Sequence, residues 1–313
     1  MYKIKRILFY LFHKPSVFVM ILLERLAPMI PDALYLKMKY RLVVGKKLNL
    51  KNPVTFSEKI QWLKLYNRKP EYTIMVDKIK VKTYVAEKVG KDCIIPTLGV
   101  WDNPDEIDFD ALPSKFVLKC NHNSGTGMCI CKDKSTLNIP KVKQALRKGL
   151  KENYFLHGRE WPYKNVRRQI LAEQFMTDSD QEELRDYKFF CFNGKPYLCQ
   201  VISDRSSDEK IDFYDMEWKR LIGLIWLIGL TPSSRISNSK SAIPCPRSFA
   251  EMKRMASVLS SGIPFARIDF YDINGKAYFG EITFFPASGF GYFRPDKWNE
   301  TLGRVIDLSM VSQ

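Results

Sequence analysis

Two turns divide much of the second half of the chain into pairs of β-strands. Alternating apolar and polar residues occupy 187–192 and 195–202 on either side of Asn193-Gly194, a dipeptide typical of two-residue hairpins. The same pattern recurs over 265–271 and 276–283, around Asp272-Ile273-Asn274-Gly275. Because such short turns join antiparallel neighbours, the pattern disfavours a doubly wound parallel sheet. The order of elements predicts an α+β fold.

The first half of the chain mixes helical patterns with short strands. Helical spacing over 57–66 follows a capping residue, Thr55 or Ser57, and helical spacing over 73–89 ends at Gly90, a natural C-cap. The other predicted elements are strands at 93–101, 116–122, 128–131 and 168–176, and helices at 140–154 and 249–260.

The charge balance indicates an anionic partner. Fifty Lys and Arg against 34 Asp and Glu give a formal charge of +16. This excess favours phosphate, a polyanionic sugar, nucleic acid or an acidic membrane face, and it excludes an acidic solvating tail. The 313 residues are 45% hydrophobic, which is enough for a core that needs no disulfides. Seven scattered cysteines without zinc spacing indicate reduced thiols in a reducing compartment.

Two apolar segments are too short to cross a bilayer. At the N-terminus the longest uncharged stretch runs from Pro15 to Leu23, under half of the ~20 residues that a spanning helix needs. This region predicts either an amphipathic helix packed on the domain or a basic helix lying on an anionic membrane. The second segment, Leu221 to Leu230, predicts a buried strand or helix, or else a loop that contacts lipid.

A lysine-bearing strand followed by small residues predicts a phosphate site. The strand Phe116-Val-Leu-Lys119 leads into Cys-Asn-His-Asn-Ser124-Gly-Thr-Gly127-Met128. Glycines let backbone N–H groups approach phosphate oxygens without a clash from Cβ, and the lysine adds a positive charge. The segment is not a Walker A loop, because its lysine precedes the glycines.

The last hairpin places two carboxylates opposite each other. Arg267 and Asp269 share one face of their strand by the period of two, and Glu281 and Thr283 share one face of the next strand. Facing carboxylates repel each other unless a cation lies between them. Mg²⁺ bound by the carboxylates and by substrate phosphates meets that need, and so does neutralisation by Arg267 or a lysine.

Taken in order, these motifs resemble the ATP-grasp superfamily and, more narrowly, its TupA-like branch, which is found in bacterial capsule and surface-polysaccharide clusters. The resemblance runs from about Leu48 to Pro295. It rests on NPVTFSEKIQWLKLY, IIPTLGVWDNPDEIDFDALPSKFVLKCNHNSG, GREWPYKNV, DYKFFCFNGKP and FGEITFFPASGF, with VDKIKVK at 76–82 and ILAEQFM at 170–176. It implies an ATP-grasp fold, in which two α+β subdomains clasp ATP.

The resemblance also implies boundaries along the chain. We expect an N-terminal helical region over 1–70 and the first part of the ATP-grasp unit over 71–115. A subdomain with the phosphate loop is expected over 116–175, and a subdomain with the metal site over 176–313.

Each motif residue acquires a role from the resemblance. Lys78 and Lys119 would bind the ATP phosphates, and the loop containing Ser124, Gly125 and Gly127 would close over them. The adenine hinge would consist of Glu173 and the backbone from Gln174 to Met176, with Asp180, Glu182 or Glu183 on the ribose. Mg²⁺ would be held by Asp269, Glu281 and Thr283, while Arg267 would stabilise the transition state of acyl-phosphate formation.

Further residues are expected around the substrates. Lys188 and Arg205 would grip the γ-phosphate or the acceptor carboxylate, unless they are exposed basic residues on a hairpin. His122, Ser288 and Gly289 would contact substrate, although a lone histidine is often only a hydrogen-bonding support. Thr283 stands where many ATP-grasp enzymes have asparagine, a stronger oxygen ligand, so one Mg²⁺ is expected rather than two.

The function that the resemblance implies is an ATP- and Mg²⁺-dependent carboxylate–amine ligase. It would join an amino acid to a uronic acid or related group of an anionic sugar or glycan precursor, in the cytoplasm or peripherally at the inner membrane face. A glycosyltransferase of capsule or O-antigen synthesis is one alternative, although Asp178-Ser-Asp180 lies in a predicted loop rather than after a strand. A non-enzymatic basic protein that binds glycan or nucleic acid is another, but it leaves the facing carboxylates without a role, and no nucleic acid is expected.

Overall fold

The computed structural model describes residues 15–227 and 238–311. The helices are α1 (Pro15–Arg25), α2 (Asp32–Val44), α3 (Phe56–Tyr66), α4 (Glu71–Val76), α5 (Lys80–Val89), α6 (Ile139–Lys151), α7 (Tyr154–Gly158), α8 (Phe249–Leu259) and α9 (Lys297–Val305). The strands are β1 (Thr97–Trp101), β2 (Phe116–Cys120), β3 (Cys129–Cys131), β4 (Ile170–Gln174), β5 (Asp186–Phe192), β6 (Lys195–Ser203), β7 (Lys210–Tyr214), β8 (Ile225–Leu227), β9 (Ala266–Ile273), β10 (Lys276–Thr283) and β11 (Tyr292–Arg294).

The strands form antiparallel sheets. Strands β10-β9-β5-β6-β7 make a five-stranded sheet, β1-β4-β2-β3 make a four-stranded one, and β8 pairs with β11. The neighbours within each sheet run antiparallel. A parallel bridge between Ile94 and Phe279 places the segment before β1 against β10, so the two larger sheets meet there. The predicted α+β class is confirmed.

Both predicted hairpins form, and their turns explain why. Asn193 and Gly194 have φ of 46° and 74°, and Asn274 and Gly275 have φ of 53° and 79°. Two successive residues with positive φ match the right-handed twist of the flanking strands, and Asn-Gly adopts that conformation at little steric cost. The second turn therefore fixes the register of β9 against β10, on which the carboxylate pair depends.

Helix α3 begins at the predicted cap and carries two unexpected polar residues inwards. The Thr55 hydroxyl accepts from the backbone N–H of Glu58, and the Glu58 carboxylate accepts from the backbone N–H of Thr55. These two bonds form a complete capping box. Ile60 and Leu63 are buried. On the same helix Gln61 and Lys64 are also fully buried, which the sequence pattern did not predict.

The prediction of one helix over 73–89 is wrong, because the helix is interrupted at Asp77. One carboxylate oxygen of Asp77 accepts from the backbone N–H of Ile79 at 2.9 Å, which starts α5 afresh. The same oxygen accepts from Asn121 Nδ2 at 2.9 Å, so the break is tied to the end of β2. As a consequence, Lys78 lies in the turn between α4 and α5 rather than on a helix face.

Three apolar clusters hold these elements together. The largest lies under the five-stranded sheet and includes edge-on and tilted rings of Phe56, Phe190, Phe265 and Phe293. A smaller cluster supports the four-stranded sheet, where Phe116, Leu118 and Leu146 are buried. A third joins α1 and α2 to Phe290, so the N-terminal helices pack on the loop that follows β10.

The two apolar segments are partly described. In the second, Ile225–Leu227 form a strand with Trp226 buried, in agreement with the prediction of a buried strand, whereas 228–230 lie outside the described residues. In the first, α1 packs through Leu23, and residues 1–14 lie outside the described part. Among the described residues, no helix combines the length and the apolar character needed to cross a bilayer.

Candidate active site

A buried carboxylate on β4 holds two lysines at one edge of the four-stranded sheet. Glu173 lies opposite Val117 in the register of β4 with β2, and its two oxygens accept separately from Lys82, at 2.7 Å, and from Lys119. Burial alone would raise the pKa of Glu173, but the two ammonium groups outweigh it and hold the pKa below its ordinary value. The carboxylate is therefore ionised and fixes both lysines.

The two lysines differ in how many other partners they have. Lys82 also donates to the carbonyl of Ile95 at 2.7 Å and to Thr97 Oγ1 at 2.9 Å. Lys119 has Glu173 as its hydrogen-bonding and ionic partner among the described residues. Lys119 therefore keeps donors for a ligand, whereas Lys82 supports the frame. Sequence analysis assigned no role to Lys82, although it lies only four residues after Lys78.

Lys78 reaches the same cleft from the break between α4 and α5. Its ammonium donates to the carbonyl of Asn123 at 2.7 Å, at the start of the glycine loop. Burial lowers its pKa, and Glu281 opposes that effect by its negative charge. Lys78, Lys82, Lys119, Glu173 and Gly280 line one cleft between the sheets. Three cations thus converge where the sequence predicted a phosphate site.

The glycine loop adjoins this cleft at Asn123, whose carbonyl accepts from Lys78. Ser124 and Gly125 are exposed, and Gly125 has a φ of 84° that favours glycine. A Cβ added to Gly127 would lie 3.0 Å from the Cα of Gly149, so a side chain there would collide with α6. His122 does not line the cleft. It is 2% exposed and its Nε2 lies 3.2 Å from the carbonyl of Glu152, as in the alternative of a hydrogen-bonding support.

The predicted adenine hinge borders a second depression. Gln174 and Met176 line it from one side, and Ile273, Lys276 and Tyr278 of the last hairpin line it from the other. Because both oxygens of Glu173 are bonded to lysines, the backbone after β4 is the part of the hinge that is open to a base.

The predicted ribose residues are engaged elsewhere or exposed. Glu183 accepts from the backbone N–H of Ser206 at 3.2 Å and from its hydroxyl at 2.9 Å. Asp180 lies 2.5 Å from Arg247, and Glu182 is exposed.

The last hairpin brings the predicted metal residues together around an arginine. Asp269 lies opposite Glu281 and Arg267 lies opposite Thr283, after a bulge at Gly280. Arg267 donates to both oxygens of Asp269, at 2.7 and 2.6 Å, to Glu281 at 2.9 Å and to Thr283 Oγ1 at 3.1 Å. In this structure the guanidinium neutralises the facing carboxylates, which is one of the two arrangements that the sequence left open.

Neighbouring strands extend these contacts into a row of alternating charges. Lys188 on β5 donates to Asp269 at 2.5 Å and lies 3.4 Å from Asp186. Arg205 reaches the other oxygen of Asp186 at 3.1 Å. Lys188 is 6% exposed, so the alternative of an exposed hairpin lysine does not hold for it. Asp186 was not predicted, although it lies two residues before Lys188 and so shares its strand face.

The two carboxylates differ in their freedom to bind a metal ion. Both oxygens of Asp269 are bonded to Arg267 or Lys188, and burial raises its pKa. Glu281 uses one oxygen, and its Oε2 accepts no hydrogen bond from the described residues. Burial would raise the pKa of Glu281, but nearby cations, Lys78 first among them, lower it to about 2. Glu281 is therefore ionised and has an oxygen available.

These residues suit an ion that takes most of its ligands from a substrate. Across residues 15–227 and 238–311, no group of three or more His, Cys, Asp or Glu side chains is placed to hold a metal ion. Mg²⁺ commonly needs only one or two protein carboxylates, because phosphates and water complete its coordination. The Glu281 carboxylate fits such a site as it stands, whereas Asp269 must first give up a contact with Arg267 or Lys188.

The loop after β10 carries the two predicted substrate residues, held by buried polar groups. Ala287 and Ser288 have φ of 48° and 51°, a conformation unusual for residues other than glycine. Gln61 donates to the carbonyls of Ser288 and Gly289 at 3.1 and 2.8 Å, and Lys64 donates to that of Ser288 at 2.5 Å. The Ser288 hydroxyl donates to Glu160. Sequence analysis missed Gln61, Lys64 and Glu160.

Comparisons with known proteins agree with this arrangement. The model of the TupA-like ATP-grasp family matches residues 58–307. No curated protein matches the chain. Among solved structures, D-alanine–D-alanine ligase from Bacillus anthracis complexed with ATP is 15% identical, with a TM-score of 0.36, and the match covers 67% of this chain and 53% of that one. The chain thus spans about half the length of that ligase.

Two other solved structures are similar at the same level. D-alanine–D-alanine ligase from Helicobacter pylori is 16% identical, with a TM-score of 0.40, over 80% of this chain and 69% of that one. The ATP-grasp ligase PsnB, complexed with minimal precursor, Mg and ADP, is 13% identical, with a TM-score of 0.39, over 82% of this chain and 66% of that one. The family model covers the lysine clamp, formed by Lys82 and Lys119 on Glu173, the glycine loop, and the cluster of Arg267 with Asp269 and Glu281. The chain therefore belongs to the TupA-like ATP-grasp family.

Proposed function

We propose that this protein is an ATP- and Mg²⁺-dependent ligase that joins a carboxylate to an amine through an acyl-phosphate. The observation that carries the proposal is one cleft that brings lysines suited to phosphate next to a carboxylate suited to a metal ion. Lys78 and Lys119 line it with Gly280, the residue before Glu281. The same two lysines help to hold the pKa of Glu281 low, so cations for phosphate and an ionised metal ligand act on one region.

The residues divide the work of phosphoryl transfer in a chemically sensible way. Lys78 and Lys119 bind phosphate oxygens, the loop from Ser124 to Gly127 covers them, and Glu281 binds Mg²⁺, with Asp269 as a second ligand. Bound Mg²⁺ neutralises charge on the phosphates. Arg267 lies where negative charge grows as the carboxylate attacks phosphorus. Such a reaction depends on positioning and charge neutralisation more than on an acid or base.

For the substrates, we infer an amino acid and a uronic acid or related group of an anionic glycan precursor. The excess of 16 positive charges supports an anionic partner. Eleven of the 50 Lys and Arg residues and only two acidic residues, Glu24 and Asp32, fall within residues 1–51. In the described part of this region Leu22, Leu26 and Met29 are exposed, Met29 by 82%. Basic and exposed apolar residues together support peripheral contact with the inner membrane face.

The glycosyltransferase alternative gains no support from the triplet Asp178-Ser-Asp180, its candidate metal site. Asp178 accepts from the backbone N–H of Asn274 at 2.6 Å, and Asp180 pairs with Arg247 at 2.5 Å. Asp178 fastens the loop after β4 to the turn of the last hairpin, and Asp180 fastens it to the segment before α8. A nucleotide-sugar metal site would need them to turn away from those contacts.

A trapping assay tests the ligase proposal without knowledge of the natural amine. Purified protein is incubated with ATP, Mg²⁺, hydroxylamine and a panel of carboxylates that includes glucuronate, galacturonate and common amino acids. An acyl-phosphate reacts with hydroxylamine, so the expected products are ADP, phosphate and a hydroxamate in equal amounts. Glu281→Gln is the matched control, and it should abolish the signal. Tight binding of ATP with no hydroxamate from any carboxylate would contradict the proposal.

A further inference from the structure

Glu160 is a buried carboxylate with an unused oxygen. It lies in the segment Gly158–Tyr163, before β4, and is 3% exposed. One of its oxygens, Oε1, accepts from the Ser288 hydroxyl. Its second oxygen accepts no hydrogen bond from the residues that the structure describes. This oxygen is not among the fully enclosed polar atoms that lack a partner in the described structure, so a polar group from outside the chain can reach it.

Contacts of Glu160 and of the next residue place it near the proposed reaction centre: its partner Ser288 lies five residues after Thr283, and Trp161 packs on Tyr72, whose ring stacks on Phe284 at 4.1 Å. Burial is the main influence on its pKa and raises it, while Lys64 lowers it and Glu281 raises it further. Besides burial, the negative charges of Glu160 and Glu281 raise the pKa of both Tyr154 and Tyr163. The two rings meet edge to face at 4.8 Å, and neither hydroxyl has a hydrogen-bond partner among the described residues.

Lys64 does not neutralise Glu160 by a direct contact. The Lys64 ammonium donates to the carbonyl of Gly158 at 2.6 Å and to that of Ser288 at 2.5 Å, and it makes no ion pair within 4.0 Å in the described structure. Lys64 thus fastens the segment before Glu160 to the loop that carries Ser288. The negative charge of Glu160 remains available to a cation from the substrate.

The loop that supports Glu160 is built at a conformational cost. Ala287 and Ser288 are both left-handed without being glycine, a backbone conformation that costs free energy. A Cβ added to Gly158 would collide with the Ser288 side chain, so this close approach requires glycine. Strain of this kind persists where surrounding contacts impose it, here those of Gln61 and Lys64. The result is a fixed Ser288 hydroxyl that orients the Glu160 carboxylate.

We propose that Glu160 binds the amine of the acceptor substrate and removes its proton, with Ser288 as the positioning residue. The assignment rests on the proposed ligase function. The acceptor class is a primary amine, such as the α-amino group of an amino acid, which arrives as an ammonium ion. A carboxylate in a water-poor site attracts that cation, whereas Arg267 attracts the anionic acyl-phosphate on the other side.

The step balances with the groups named. One N–H proton of the ammonium passes to Glu160, which leaves a lone pair on nitrogen. That lone pair forms a bond to the acyl carbon, the bond from carbon to the phosphate oxygen breaks, and inorganic phosphate leaves. A second N–H proton leaves the nitrogen with the phosphate, and the product is an amide. A carboxyl with a raised pKa suits such a proton acceptor better than an ordinary one.

The test measures how wild type and Glu160→Gln react with two kinds of amine, hydroxylamine and amino acids. Hydroxylamine is small and neutral at assay pH, so it needs neither an ammonium site nor a base, whereas amino acids need both. In Glu160→Gln, hydroxamate formation should stay within about twofold of wild type, while amide formation with amino acids should fall about 100-fold or more. Raising the pH should restore part of the amide rate in the variant, because the free amine becomes more abundant. Glu251→Gln, at an exposed ion pair on α8, is the matched control and should change neither rate.

The outcomes separate this inference from the proposed function. Equal losses with both amines would make Glu160 a structural residue, and no loss with either would remove it from the site. A wild-type protein that forms no hydroxamate would overturn the ligase function and this assignment with it. Ser288→Ala keeps the charge but removes the orienting hydroxyl, so it should reduce only the amino acid reaction, by about tenfold. It also serves as the test if Glu160→Gln does not fold, and an unchanged amine preference would then overturn the inference.

Discussion

Replacing Glu173 by glutamine should destabilise the protein by a predictable amount and in a pH-dependent way. Glu173 is 6% exposed and accepts two charge-assisted hydrogen bonds, from Lys82 and Lys119. Each such bond contributes about 1.5–3 kcal/mol. Glutamine keeps one acceptor oxygen, and the lysine side chains are 14% and 22% exposed, so water recovers part of the loss. We therefore expect the free energy of unfolding at pH 7 to fall by about 2–3 kcal/mol.

The pH dependence follows from the direction of the pKa shift. The folded-state pKa of Glu173 is lower than its ordinary value, so the folded state favours the ionised carboxylate. The stabilisation is fully present above the unfolded-state pKa of about 4.3 and disappears as the pH falls through the lower folded-state value. Wild type and Glu173→Gln should therefore differ at pH 7 and converge in strong acid.

Urea denaturation at a series of pH values measures this difference directly. The matched control is Glu251→Gln, which removes a carboxylate from an ion pair whose two side chains are 49% and 53% exposed. An exposed pair of this kind contributes about 0.2–1 kcal/mol. Equal stability of wild type and Glu173→Gln at pH 7 would refute the claim that ionised Glu173 stabilises the fold through its two lysines. A difference in stability that persists unchanged in strong acid would refute it as well.

Three further variants test other parts of the molecule. Glu281→Gln should lower the affinity for ATP at least tenfold in Mg²⁺ but not in EDTA, measured by calorimetry, because Glu281 is ionised and its Oε2 accepts no hydrogen bond from the described residues; the same loss in EDTA would rule out a metal role. Arg267→Lys should keep nucleotide affinity within a few-fold but reduce hydroxamate formation about 10²–10³-fold, because a single ammonium cannot reproduce the guanidinium contacts; an active variant would contradict its role at the transition state. The double variant Leu22→Glu/Met29→Glu should lose co-sedimentation with phosphatidylglycerol vesicles, whereas Ile130→Glu, at an exposed apolar site on β3, should retain it; equal binding by wild type and both variants would exclude this membrane surface.

The row of alternating charges from Asp186 to Glu281 constrains how the site works. Asp186, Lys188, Asp269, Arg267 and Glu281 each contact the next at 3.4 Å or less. In such a row, a ligand that binds Arg267 or Lys188 weakens the hold on Asp269. Phosphate competes with Asp269 for Arg267 and Lys188, and Mg²⁺ would compete with these two cations for Asp269. Binding of phosphate and binding of Mg²⁺ by Asp269 are therefore expected to favour each other.

Local features of the sequence determined the fold class and half of the candidate site. The Asn-Gly turns and the period of two within β9 and β10 set Asp269 opposite Glu281, because hairpin register depends on the turn and on residues close in sequence. The Thr55 capping box started α3 where expected for the same reason. The lysine–glycine segment after β2 likewise carried enough local pattern to indicate phosphate.

Only the tertiary structure decided which charges meet. Lys82 and Lys119 share Glu173 across separations of 91 and 54 residues, and Lys64 fastens Gly158 and Ser288 from a helix whose periodicity alone would leave it at a boundary. The break at Asp77, which turns Lys78 into the cleft, depends on a bond from Asn121. No local pattern encodes such contacts, because burying a charge costs free energy that only distant partners offset, and those partners are adjacent only after the chain has folded.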